Sequence, residues 1–199
     1  MSGIPDFLIL GAPKCGTSSL HSWLDAHPNL KGTSPKESYN FLDDSFSDYK
    51  KNGKSFYEGD TLGVATLMQE LWFESTAQNL YSMKFAAYIS SLERKPKVVV
   101  IVRDPVYRVL STYRYFTNNN NITNTYEKFD DYVEAMVSGQ CNTGRDIFDK
   151  ALEWSCYSKY LNMWEESVGL ENLLVLDFEA LKNRPADVVS RIEGWLNVA

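Results

Sequence analysis

A lysine and several hydroxyl residues lie in and directly after a glycine-bounded loop near the N-terminus, in the stretch FLILGAPKCGTSSL from Phe7 to Leu20. The four apolar residues at its start predict a strand that is buried on both faces. A loop between Gly11 and Gly16 follows, and after it leucine and tryptophan recur at helical spacing. A strand, a loop and a helix in this order point backbone N–H groups and a helix N-terminus at an anion. The stretch therefore predicts an anion-binding loop.

The position of the lysine separates this loop from the loop that binds nucleoside triphosphates. In that motif, lysine and then serine or threonine follow the second glycine directly, so that the lysine reaches the terminal phosphates and the hydroxyl holds magnesium. Here Gly16 is followed by Thr17 and Ser18, and the lysine, Lys14, lies inside the loop. The loop suits a phosphate-like group. A P-loop nucleotide kinase is an alternative, but the position of the lysine disfavours it.

An arginine and a serine farther along the chain suggest a second anion site. The run KVVVIV, residues 97–102, predicts a strand at the centre of a parallel sheet, and Arg103 follows it directly. On the next helix, Arg108 and Ser111 lie one turn apart and can share a face. A guanidinium at a strand end with a hydroxyl on the following helix suits a phosphate. If the two strands are neighbours, the ligand carries phosphates at two separated positions.

The elements that must hold these residues alternate between strands and helices. Strands are predicted at 7–10, 71–73, 97–102 and 172–176. Helices are predicted from Thr17, over about 78–93, from about 105, over about 126–137 and 146–168, and in a last segment that ends near 196. This order predicts an α/β fold, a single domain over 1–199 with a central parallel sheet flanked by helices. Residues 31–60 are expected to form a long functional surface loop.

Composition limits the classes of function. The chain has 199 residues, 44% of them hydrophobic, which is enough for the core of one domain. With 26 acidic and 20 basic side chains its net charge is −6, which argues against general binding of nucleic acid. No apolar run reaches the roughly 18 residues of a membrane span. A cytoplasmic location is expected, or the Golgi lumen if the sequence is trimmed from a longer protein.

Cysteines and metal ligands give little indication of function. Cys15, Cys141 and Cys156 do not form a disulfide framework. Free thiols are favoured over a bridge between Cys141 and Cys156, which stays open for an oxidising compartment. The sequence shows no cysteine and histidine cluster with metal-ligand spacing, so no metal is expected.

The two anion motifs together resemble those of a known family. Residues 13–20, PKCGTSSL, are similar to the 5′-phosphosulfate loop of sulfotransferases, and residues 103–113, with Arg103, Arg108, Ser111 and Tyr113, resemble their 3′-phosphate motif. The helix around Trp164 and the following LLVLDFEAL also resemble the family. The likeness spans nearly the whole chain and implies the P-loop-containing sulfotransferase fold.

This resemblance implies a donor, a reaction and a set of binding residues. The donor is 3′-phosphoadenosine 5′-phosphosulfate (PAPS), the product is 3′-phosphoadenosine 5′-phosphate (PAP), and the sulfuryl group passes to a hydroxyl or amine of a carbohydrate or small molecule. Lys14 would neutralise charge on the bridging oxygen as the sulfuryl group leaves. The residues assigned to the donor are Lys14, Cys15, Gly16, Thr17, Ser18, Ser19, Arg103 and Ser111.

The acceptor must lose a proton, and the resemblance also suggests the base. Lys36-Glu37 followed by Phe41 resembles the segment of carbohydrate-type sulfotransferases in which a glutamate is the base. Glu37 is therefore the predicted base, with Glu74 as the second choice, whereas the two histidines are poorly placed on the first helix. A non-catalytic nucleotide-binding module stays an alternative, because family members continue past the position of the last residue. The acidic composition gives no support for a highly anionic polysaccharide acceptor.

Overall fold

Parallel strands form the centre of the protein in a computed structural model that describes residues 4–42, 70–118 and 126–198. Within these ranges the strands are β1 (Phe7–Gly11), β2 (Leu30–Gly32), β3 (Leu71–Glu74), β4 (Lys97–Val102) and β5 (Leu173–Asp177). Their order in the sheet is β2-β3-β1-β4-β5, and every neighbouring pair is parallel. The predicted α/β fold with a parallel sheet is confirmed.

The apolar runs in the sequence occupy the middle of this sheet. All five residues of β1 are buried, as are residues 98–101 of β4. Since helices cover both faces of a parallel sheet, such strands have no polar side and show no alternation. β1 and β4 are direct neighbours with Leu8 opposite Val98, so the loop after β1 and the residues after β4 lie at the same edge.

Helices pack on both sides of the sheet. Their bounds are α1 (Thr17–Asp25), α2 (Met83–Ser90), α3 (Pro105–Asn118), α4 (Phe129–Val137), α5 (Asp146–Asp149), α6 (Tyr157–Val168), α7 (Phe178–Asn183) and α8 (Pro185–Leu196). Single 3₁₀ turns lie at Asn79–Tyr81, Glu153–Ser155 and Leu170–Asn172. A second, smaller core around Tyr132 and Phe148 joins α3 to α4 and α5.

Three predicted helices are shorter than the sequence suggested. The helix predicted over 78–93 begins only after Ser82, whose hydroxyl accepts a hydrogen bond from the Phe85 N–H at 3.1 Å and caps α2. The one predicted over 126–137 begins at Phe129. The last helix is divided into α7 and α8 at Pro185, which fits a first helical position and ends the preceding helix.

The helix predicted over 146–168 is broken by a tertiary contact. The carbonyl of Ala151 accepts hydrogen bonds from the Arg108 guanidinium at 2.8 Å and from the Ser155 hydroxyl at 2.7 Å. The chain continues as a 3₁₀ turn, and α6 starts at Tyr157. Periodicity within the segment could not reveal this, because the competing donor comes from another helix.

The predicted loop over 31–60 also contains an unexpected strand. β2 is three residues long and pairs with β3 at the edge of the sheet, which is too short for a period-of-two signal. Residues 33–42 form a loop as predicted, whereas 43–60 lie outside the described residues. The three cysteines are free. In the ranges that the structure covers, helices are too short or too polar to cross a membrane.

Asp177 provides a test of the packing beside the anion loop. Its side chain caps α7 by accepting the Ala180 N–H at 3.2 Å. We expect Asp177→Ala to lower the free energy of unfolding by about 1 kcal/mol, whereas Asp177→Ser keeps most of the stability. Urea unfolding followed by tryptophan fluorescence measures both, with the exposed Glu179→Ala as the control. Parental stability of Asp177→Ala would contradict this role.

Candidate functional site

The loop between β1 and α1 ends at the N-terminus of a helix. Gly16 precedes α1 with φ at +86°, a conformation that favours glycine, and a Cβ there would lie 3.0 Å from Leu181 Cδ2. The N–H groups in the first turn of a helix have no acceptor within the helix, and the first turn of α1 contains no acidic residue. Together with the positive end of the helix dipole, these donors are suited to the anion that the sequence predicts at the start of α1.

A cavity of about 450 Å³ opens on one side of this loop. Lys14, Thr17 and Ser18 line it, together with Glu37 from the loop after β2. Its remaining walls come from the following residues: Pro13, Tyr39, Ala77, Gln78, Tyr115, Phe116, Arg145, Asp146 and Ile147. The structure thus brings the predicted base to the predicted donor loop.

Cys15 is the member of the predicted set that points inward. Its N–H donates to the Ala12 carbonyl at 3.2 Å within the loop, and its Sγ lies 3.7 Å from the Tyr157 hydroxyl. The side chain is fully buried, and burial raises the pKa of the thiol. Cys15 therefore supports the loop from below, while Ser18 and Ser19 are exposed at its rim.

Lys14 is held at the cavity wall by an aromatic ring. Its backbone has φ at +67°, and its Nζ lies 3.5 Å from the centroid of the Tyr115 ring. Burial, and then the positive charge of Arg103, lower the pKa of Lys14. Sequence reasoning missed Tyr115, although it lies one helical turn after Ser111 on α3.

Arg103 connects the end of β4 to the loop. Its NH1 donates to the Lys14 carbonyl at 3.3 Å, and its Cζ lies 4.3 Å from the centroid of the Phe178 ring. Its Nε is buried and has no hydrogen-bond partner among the residues that the structure describes. Ser111 is half-buried on α3, and neither it nor Arg103 lines the cavity. The predicted second anion site therefore lies beside the cavity, at the strand end.

Arg108, one turn before Ser111 on α3, contacts the loop from the protein interior. The side chain is fully buried; its Nε donates to the Pro13 carbonyl at 3.0 Å and its NH1 to the Ser155 hydroxyl at 2.8 Å. In the described ranges no carboxylate forms an ion pair with it, and its NH2 has no hydrogen-bond partner. It is a buried, uncompensated positive charge that holds the loop from behind.

Glu37 lies in a short network of hydrogen bonds. Lys36 Nζ donates to Glu37 Oε1 at 2.7 Å, and the Tyr39 hydroxyl donates to Glu37 Oε2 at 2.6 Å. The same Nζ donates to the Ser75 carbonyl at 3.1 Å and lies 3.5 Å from Thr17 Oγ1. Lys36 thus connects the carboxylate to the first residue of α1. Sequence reasoning gave no role to Lys36 or Tyr39, although they flank Glu37.

Glu74, the second choice for the base, is a structural residue. It is fully buried, does not line the cavity, and accepts hydrogen bonds from Asn79 Nδ2 at 2.9 Å, from the Ser38 hydroxyl at 3.0 Å and from Thr76. Burial raises its pKa. Its partners belong to the loops on both sides of the cavity, so Glu74 fixes the segment that carries Glu37. His21 is also buried and hydrogen-bonded to Ser75, as its poor placement in the sequence suggested.

Comparison with known proteins decides the family. A model described as the sulfotransferase domain matches residues 4–199. The chain belongs to the sulfotransferase domain family. Human heparan sulfate glucosamine 3-O-sulfotransferase 3B1 is 25% identical over 195 residues, which cover 98% of this chain and 46% of that protein. The chain thus spans about half the length of this relative.

Solved sulfotransferase structures share the fold. The sulfotransferase from Alicyclobacillus acidocaldarius matches with a TM-score of 0.79 at 21% identity, covering 98% of this chain and 82% of that chain. Mouse sulfotransferase SULT7A1 complexed with PAP matches with a TM-score of 0.53 at 13% identity, covering 97% of this chain and 59% of that chain. The fold implied by the sequence resemblance is confirmed.

Arg108 provides a test of how the loop is supported. We expect Arg108→Met to lower the free energy of unfolding by about 2 kcal/mol, because buried acceptors lose their donor. We also expect it to weaken PAP binding about tenfold, because the loop loses both an anchor and a nearby positive charge. Urea unfolding and calorimetry measure the two effects, and the exposed Arg114→Met on the same helix is the control. PAP affinity equal to that of the parent would exclude a role of Arg108 in the site.

Proposed function

We propose that this protein is a PAPS-dependent sulfotransferase that transfers a sulfuryl group to a hydroxyl or amine of a carbohydrate-like acceptor. The observation that carries the proposal is the placement of Lys14 and Glu37 on one cavity, with Arg103 bonded to the same loop from the neighbouring strand. Membership in the sulfotransferase domain family supports the reaction. The similarity to a human heparan sulfate glucosamine 3-O-sulfotransferase supports the class of acceptor.

The residues around the loop fit such a donor. The N–H groups at the start of α1 and the Lys14 ammonium would hold the 5′-phosphosulfate. The unpartnered Nε of Arg103 is a donor suited to the 3′-phosphate, with the Ser111 hydroxyl on the next helix. Cys15, whose amide is used inside the loop, would contribute by packing. When bound, the donor supplies the activated sulfuryl group, and no metal is expected.

The side chains on the cavity would carry out the proton and charge transfers. Glu37 would accept the proton that the acceptor hydroxyl or amine loses as its oxygen or nitrogen bonds to sulfur. Lys14 would compensate the negative charge that develops on the phosphate oxygen when its bond to sulfur breaks. Lys36, in contact with both Glu37 and Thr17, would hold the base beside the donor loop. Positioning and charge stabilisation then account for catalysis, as in phosphoryl transfer.

The cation cluster explains how an acidic protein could bind a multiply charged donor. Lys14, Lys36, Arg103 and Arg108 surround the loop, and the carboxylates that line the cavity in the described part of the chain are Glu37 and Asp146. Because Arg108 and part of Arg103 are buried, solvent screens their charges less than it screens those of surface residues. The cytoplasmic location expected from the sequence stays a prediction that the relatives do not support.

Transfer of labelled sulfate tests the proposed function directly. We expect the protein to move sulfate from ³⁵S-labelled PAPS to at least one of three acceptors: heparan sulfate, its N-desulfated form with free amines, and 4-nitrophenol. PAP should inhibit the reaction, and added EDTA should leave it unchanged. Transfer to the phenol but to neither polysaccharide would contradict the carbohydrate class. Binding of PAP without any transfer would favour the non-catalytic module.

Glu37 is tested by removing its charge. We expect Glu37→Gln to lower kcat at least a hundredfold, because an amide cannot accept the proton of the acceptor, while PAP affinity changes less than twofold. The exposed Glu179→Gln on α7 is the matched control and should keep parental activity. Steady-state kinetics and calorimetry separate the two effects. A Glu37→Gln variant with parental kcat would show that Glu37 is not the base.

A further inference from the structure

Tyr39 lies beside Glu37 in an unusual backbone conformation. Its φ is +56°, in the left-handed region that side chains other than glycine rarely adopt. Such conformations persist where surrounding contacts hold them, and they concentrate at functional sites. The side chain is 46% exposed and lines the same cavity as Lys14 and Glu37. Packing of the ring in the core therefore does not explain the conformation.

Contacts with buried residues hold this backbone in place. The Tyr39 N–H donates to Thr76 Oγ1 at 3.2 Å, and both the N–H and the hydroxyl of Thr76 donate to the buried Glu74. Ser38, directly before Tyr39, is also bonded to Glu74. The Tyr39 carbonyl accepts the Leu42 N–H at 3.3 Å. These hydrogen bonds thus fix the backbone of Tyr39 and with it the direction of the phenol side chain.

The phenol is directed at one oxygen of the Glu37 carboxylate. The phenol hydroxyl donates to Oε2 at 2.6 Å, while Lys36 Nζ donates to Oε1 at 2.7 Å. Lys36 Nζ also lies 3.5 Å from Thr17 Oγ1, so the group that holds Oε1 also contacts the first residue of the helix after the anion loop. A group on each oxygen prevents the carboxylate from turning about its last bond.

The phenol is suited to donate and not to take up a proton. Burial and the hydrogen bond to Glu37 raise the pKa of Tyr39 to about 12, so its hydroxyl keeps its proton at neutral pH. Among the described residues, the charged or titratable groups that interact with Glu37 are Lys36, Lys14, His21 and Tyr39, and Arg145 and Asp146 line the same cavity. Among them, Tyr39 is the neutral donor on Oε2.

We propose that Tyr39 is a positioning residue whose hydroxyl fixes the rotation of the Glu37 carboxylate, with Oε1 directed at the acceptor proton beside the donor loop. This inference rests on the proposed role of Glu37 as the base. A carboxylate oxygen has two lone pairs, so Oε1 can accept the acceptor proton while Lys36 remains nearby. Tyr39 does not contact the reacting atoms and acts through Glu37.

Tyr39→Phe removes the hydroxyl and keeps the ring. We expect kcat with heparan sulfate to fall about tenfold, the scale of one hydrogen bond to a charged group, with the KM for PAPS unchanged. The acid limb of the kcat profile should move to higher pH, because the ionised carboxylate loses a donor that stabilises it. A merely structural residue would not move this limb. Tyr107→Phe, an exposed tyrosine on α3 outside the cavity, is the control and should behave as the parent.

A second measurement needs no acceptor. In crystals of the PAP complex we expect the parent to show one Glu37 rotamer and Tyr39→Phe to show several. A parental kcat and pH profile in Tyr39→Phe, or a single unchanged Glu37 rotamer, would overturn the inference. Full activity of Glu37→Gln would instead overturn the proposed base, and no transfer by the parent would overturn the proposed function. The three failures are therefore distinguishable.

Discussion

The parallel pairing of β1 with β4 is the constraint on which the site depends. Because the two strands are neighbours and run in the same direction, the loop after β1 and Arg103 after β4 must lie at one edge of the sheet. The Arg103 guanidinium then reaches the Lys14 carbonyl, and the Arg108 guanidinium reaches that of Pro13. Two segments that are almost ninety residues apart in the sequence thus place their cationic side chains around one loop.

The positive charge at this edge of the sheet comes from a few cations at and behind the loop, although the chain as a whole is acidic. The chain carries a net charge of −6, yet Lys14, Lys36, Arg103 and Arg108 lie behind and beside the loop; among the described residues, Glu37 and Asp146 are the carboxylates that line the cavity. A buried arginine without an acidic partner lowers the stability of a protein unless its hydrogen bonds and a bound anion offset the cost. Arg108 has carbonyl and hydroxyl partners, and the anion that the loop is proposed to bind would supply the missing charge.

Much of this arrangement could be predicted from the sequence, because it depends on local signals. The apolar run at 97–102 predicts a central strand, and the glycine-bounded loop with an internal lysine predicts an anion site beside it. The predicted parallel strands are present in the structure, and Glu37 lies near the loop. In each case a few adjacent residues carry the information.

The features that the sequence did not reveal depend on contacts between distant segments. Arg108 is a charged residue on the buried face of α3, where carbonyls from two other segments accept its hydrogen bonds. Glu74 is a candidate base in the sequence, but in the structure Ser38, Thr76 and Asn79 donate hydrogen bonds to its buried carboxylate. Tyr39 gains a role only when a positive φ directs its phenol at Glu37. No periodicity or motif encodes such contacts.

The central claim is that the two strand ends together bind a nucleotide with two separated phosphate groups. Calorimetry with PAP, and with ATP and magnesium at the same ionic strength, tests it most directly. The account predicts that PAP binds at least a hundredfold more tightly than Mg-ATP, and that Arg103→Met removes most of this preference. Mg-ATP binding as tightly as PAP, or a preference that survives the loss of Arg103, would contradict it.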